Sequence, residues 1–183
     1  MRLKARHWGG VAVGAVALAV LGWLVGQHRV PVPLVLDRVP LRALLPGIAA
    51  ILATYPLLDW FPGFSDLLVR EARLRRWRVL AASLLYAMAV IPGITAGAAI
   101  GAAVGELNIA LAFLALGLAT IVLVGDLAWL AVLTATFTVL YLNVPPLEPL
   151  TRAAATPVAL VVVAAAYLIA AGAYISCGPR RQP

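Results

Sequence analysis

The chain has 183 residues, 64% of them hydrophobic and only 11% charged, with a formal net charge of +7. That composition cannot supply a globule with a polar surface, so an all-α polytopic membrane protein is expected. In a soluble protein the basic excess would point to nucleic acid, but here the arginines fall between apolar runs long enough to cross a bilayer, and the charge reads as topology.

A helix needs roughly 17 to 25 apolar residues to cross the hydrocarbon core, and about six such runs are readable along the chain. The first, residues 8–26, follows the charged start "MRLKARH" and ends "LGWLVGQHR" with no A-x-A cleavage pattern, so it is expected to stay as a membrane anchor. The second, 43–61, carries Pro46 and Pro56, each of which removes a helical donor and predicts a kink. A charged loop, 62–78, separates it from the third run, 79–104, which holds Pro92.

The fourth and fifth runs, 109–125 and 127–142, are parted by little more than "GD", which predicts a helical hairpin or one long bent helix. After "NVPPLEPLTRAAAT", an external loop with room for a short interfacial helix, the last run spans 157–176 and the chain closes with "CGPRRQP". With both termini cytoplasmic, ten basic residues lie inside and four outside (Arg29, Arg38, Arg42 and Arg152), which satisfies the positive-inside rule. The preference for arginine, with Ala, Gly, Val and Leu dominating the rest, points to a GC-rich bacterial genome and hence a multi-pass protein of the plasma membrane.

The loop is the most distinctive stretch. Pro62 and Gly63 end the second run, Ser65 is a candidate N-cap, and Asp66 sits in the first turn of an expected short cytoplasmic helix. Asp66 with Arg70 and Glu71 with Arg75 have the favourable i,i+4 order, worth roughly 0.2 to 0.5 kcal/mol each. Arg73, Arg76 and Arg78 are then left to meet something else, with Phe64, Leu67, Leu68, Leu74 and Trp77 as apolar anchors between the charges. The bland reading is a topology signal touching anionic headgroups; the sharper one is a partner-docking element, since arginine and aromatic residues dominate interface energies. Nucleic acid fits poorly, because the segment is pinned to the bilayer at both ends.

In the third run Gly93, Gly97, Gly101 and Gly105 recur every four residues, a spacing that would line one helix face for close packing within the chain or against a second copy. Catalytic chemistry is not indicated. Lys4 is the only lysine, so no P-loop is possible; His7 and His28 lie near opposite ends of the first run; Ser65, Ser83 and Ser176 have no histidine in a span to activate them; Cys177 is alone. Asp59 and Asp126 fall at predicted cytoplasmic helix ends, where turn roles are expected, and Asp126 in "VGDLAW" is the acid of most interest.

This layout, with "DRVPLRALLPGIAAILATYPL", "LLVREARLRRWR" and "AAGAYISCGPRR" in order, resembles the short ABC-2-type permeases of high-GC bacteria. The resemblance implies a coupling helix at the basic loop that contacts a separate cytoplasmic ABC ATPase holding ATP and Mg, no cofactor in this chain, and assembly with a second copy or a related permease. It implies export of a peptide-like or amphipathic substrate. The chain departs from the larger members in its short loops and its reduced N-terminal element, which keeps open a second expectation: a small accessory or immunity-type membrane protein that binds a partner and transports nothing. A lipid-acting enzyme would need converging polar groups, and no recognised spacing links Asp59, Asp66, Glu71 and Asp126.

Overall fold

A computed structural model describes residues 2–31, 38–58, 71–97, 100–142 and 153–179. Six helices account for most of it: α1 (Arg2–Val25), α2 (Leu45–Thr54), α3 (Glu71–Gly97), α4 (Ile100–Val124), α5 (Ala128–Leu142) and α6 (Pro157–Cys177). Between α1 and α2 a two-stranded antiparallel ribbon pairs β1 (Arg29–Pro31) with β2 (Arg38–Pro40), so that the tripeptide Arg-Val-Pro meets its own repeat. The all-helical expectation therefore needs this one small addition. Both prolines sit at strand ends of a ribbon that has only edges, where a missing donor costs no ladder bond.

Among the described residues four stretches are long and apolar enough to cross a membrane: Trp8–Val25, Arg73–Ala96, Ala103–Tyr141 and Pro157–Cys177. Their outward faces are apolar, with Val161 at 68% and Ile169 at 73% exposure, a surface that lipid solvates and water does not. The expected second span is shorter than 43–61 suggests. It is α2 with a 3-10 turn at each end, Leu41–Ala43 and Tyr55–Leu57. Pro46 and Pro56 do not kink it, because each lies in the first turn of its element, where the N–H has no intrahelical acceptor. Among the described residues, Pro92 alone stands inside a helix, α3.

Two boundaries also move. The arginine run from Glu71 onward is not a separate short helix but the first two turns of α3. The break expected at 105–108 falls instead between Gly97 and Ile100, so Gly93 and Gly97 belong to α3 while Gly101 and Gly105 belong to α4, and the four glycines do not line one helix face. Glu106 and Asn108, which mark a loop by their polarity, are inside α4 because each has a tertiary partner. Arg42 approaches Glu106 to 3.4 Å, and Asn108 donates to the Ala154 carbonyl at 2.6 Å.

Of the two arrangements open for "GD", the structure takes the hairpin. The 3-10 turn Gly125–Leu127 reverses the chain, with Gly125 at φ 68, a conformation glycine adopts without steric cost. Gly47 of α2 touches Thr136 of α5, and Thr54 of α2 touches Gly117 of α4. Seven residues of α2 cover about 10 Å, whereas Gly117 and Thr136 would lie about 28 Å apart on one continuous helix.

Two core clusters are stacked along the bundle. Trp8, Leu57, Val79, Ile121, Ala128 and Tyr174 meet in one, so the start of α1, the end of the α2 region, the start of α3 and the end of α6 share one end, here termed the basic end. Ala15, Ala50, Tyr86, Phe113 and Val132 belong to the other. Toward the far end, a β-carbon built on Gly22 of α1 would stand 3.1 Å from the Gly93 Cα of α3 and 2.7 Å from Leu45 Cδ1, so three elements meet where two lack side chains. Buried threonine hydroxyls return their protons to their own helix: Thr54 to Ala50 O at 2.6 Å, Thr120 to Leu116 O at 2.8 Å, Thr136 to Val132 O at 2.8 Å. That is the bonding open to a hydroxyl in a medium without water.

Candidate functional site

The basic end carries the residues with most chemistry. Arg73, Arg75, Arg76, Trp77 and Arg78 occupy the first turns of α3, and the 3.6-residue period sends them to different faces. Arg73 and Arg76 are exposed and Trp77 is 64% exposed, whereas Arg75 and Arg78 are half-buried.

Arg75 turns inward to the end of α6. Its Nη1 donates to the carbonyl oxygens of Ile175 at 3.3 Å and Ser176 at 3.2 Å, two of the acceptors a helix leaves open at its last turn. A guanidinium there also meets the negative end of the helix dipole. Gly178 makes room for it. The residue stands at φ 75 beyond the helix, its N–H bonded to Tyr174 O at 2.8 Å, and an added β-carbon would fall 2.9 Å from Arg75 Cζ. Tyr174 in turn donates its hydroxyl to Leu57 O at 2.8 Å, tying α6 to the end of the α2 region.

This geometry revises one expected docking residue: Arg75 is engaged by its own chain. Glu71 begins α3, and its side chain is not described, so the pairing expected with Arg75 has no geometry to report. Phe64, Asp66 and Arg70, together with Asp59 and Ser65, lie outside the described residues. What remains together on one surface is Arg73, Arg76 and Trp77, and Trp77 heads a stripe continued by Leu80, Leu84, Met88 and Ile91 at helical spacing, all exposed. Trp77 thus stands where an outward apolar face gives way to arginine, the position aromatic residues take at a membrane surface.

At the same end of the bundle is a cleft of about 420 Å³ between the end of α2 and the α4–α5 turn. Ile51, Leu58 and Ile121 form much of its wall, and Tyr55, Asp126 and Trp129 also line it. Asp126, singled out in the sequence, is exposed here.

The far end holds what the sequence reading missed. The Arg42–Glu106 pair joins the 3-10 turn before α2 to α4, with side chains 21% and 26% exposed. The signal available was an acid and an amide, Glu106 and Asn108, within a long apolar stretch. Among the expected packing glycines, Gly93 lies against α1, Gly105 is buried, and Gly97 and Gly101 are placed only by their helices. Among the described residues no group of three or more of His, Cys, Asp and Glu is placed to hold a metal ion. Comparison of the chain with protein-family models, with curated proteins and with solved structures finds no match.

Proposed function

We propose that the chain is the membrane permease subunit of an ABC-type exporter, with all six helices crossing a bacterial plasma membrane, both termini cytoplasmic, and a separate ATPase held at the basic end. The observation that carries this reading is the exposure of Arg73, Arg76 and Trp77 together, at the bundle end shared by the start of α1 and the close of α6. The alternation of helix directions supports the topology, since it places the arginines of α3 on the same side as those that open α1. In this reading the chain works with a second copy or a related permease and supplies no ATP chemistry of its own.

A second reading, the accessory protein that transports nothing, has one observation in its favour. The arginines lie on a helix that runs straight into a span, and Trp77 continues an outward apolar stripe, which is the geometry of an anionic headgroup contact. Affinity purification of the tagged chain from its native membrane in mild detergent, with a parallel Arg73→Glu/Arg76→Glu variant, separates the two. An ATPase that accompanies the wild type and is lost from the variant supports docking; a wild-type chain that emerges without one supports the accessory role.

A further inference from the structure

The cleft between α2 and the α4–α5 turn combines three features that recognise one class of ligand. Its wall is apolar, from Ile51, Leu58 and Ile121; two aromatic rings, Tyr55 and Trp129, line it; and one carboxylate, Asp126, enters it. Thr54, which also lines the cleft, has its hydroxyl committed to Ala50 O and Ile51 O. Among the described residues no cation forms an ion pair with Asp126. Among the side chains described, the arginines of this end stand on α3, whereas α5 packs chiefly on α2 and α4, and Asp126 is the one charged residue that lines the cleft.

The geometry points to a binding site for an amphipathic monocation, its apolar body against the isoleucines and its charge between Asp126 and the faces of Trp129 and Tyr55. Aromatic faces attract cations through the ring quadrupole, and a carboxylate beside them adds direct charge attraction. The volume falls within the range of small-molecule pockets. An anion of the same shape is excluded by Asp126 alone. That this ligand is the transported substrate rests on the permease reading; that the site binds it does not.

The test is equilibrium dialysis of the full chain in nanodiscs against tetraphenylphosphonium and tetraphenylborate, a cation and an anion of nearly the same shape, with protein-free nanodiscs to remove partition into lipid. Saturable binding of the cation and only lipid-like uptake of the anion are expected. Asp126→Asn and Trp129→Ala should each weaken the cation about tenfold, while Asp126→Glu keeps it. Lipid-like uptake of both ions by the wild type, or equal affinity of wild type and a folded Asp126→Asn, overturns the site. The wild-type comparison of the two ions needs no variant to fold and no ATPase to be present, so its failure is distinct from failure of the docking reading.

Discussion

The guanidinium of Arg75 caps the carbonyl of Ser176 at 3.2 Å across 101 residues of sequence, and so closes the last turn of α6 with a side chain from the start of α3. An arginine that looks like part of an exposed basic run is a structural strut, and its neighbours Arg73 and Arg76 are the ones turned outward.

Arg75→Ala should therefore lower the unfolding temperature in detergent, by the equivalent of about 1.5 to 3 kcal/mol for lost hydrogen bonds from a charged donor. Arg73→Ala and Arg76→Ala, on the surface, should stay within about 0.5 kcal/mol of the wild type. Equal effects of all three in a thermal melt would remove the distinction.

Gly22 and Gly93 let α1, α3 and the Leu45 side chain meet. Gly93→Leu should force the helices apart at a cost of about 1 to 3 kcal/mol, as overpacking does. Gly9→Ala is the control, since an added β-carbon there meets nothing within 4 Å. The ratio of folded to aggregated protein on size exclusion, with a melt of the folded fraction, reads both.

The Arg42–Glu106 pair should show coupling in a double-mutant cycle. Glu106→Gln leaves Arg42 opposite a neutral amide in a partly apolar setting, and adding Arg42→Gln should recover part of the loss, with an interaction energy of about 0.5 to 3 kcal/mol. Additive effects of the two substitutions would mean that the pair contributes nothing beyond its separate side chains.

Cys177 offers a direct reading of topology, because it is the sole cysteine and is exposed at the end of α6. A membrane-impermeant maleimide should label it in spheroplasts only after permeabilisation. With Cys177→Ser in place, Arg29→Cys should be labelled from outside without it. The opposite pattern would invert the bundle, and with it the side on which Arg73 and Arg76 are exposed.

A helical chain with stretches apolar and long enough to cross a membrane is legible from residue order, since hydropathy along the chain is what a bilayer reads. The boundaries depend on partners far away in sequence. Glu106 and Asn108 look like a loop because an unpaired acid and amide are costly in a span, yet Arg42 and the Ala154 carbonyl satisfy them and the helix runs through. The glycine repeat from Gly93 to Gly105 has the spacing of one face, but α3 ends at Gly97 and α4 begins at Ile100, with no charge or proline between them to announce the boundary. Arg75 is the same lesson at the basic end: its position in an arginine run is written in the sequence, and its role is set by two carbonyls that only folding brings within reach. Local composition settled the helical, apolar character of the chain, whereas which polar groups are satisfied, and hence where each helix stops and which arginines face outward, was decided by tertiary contact.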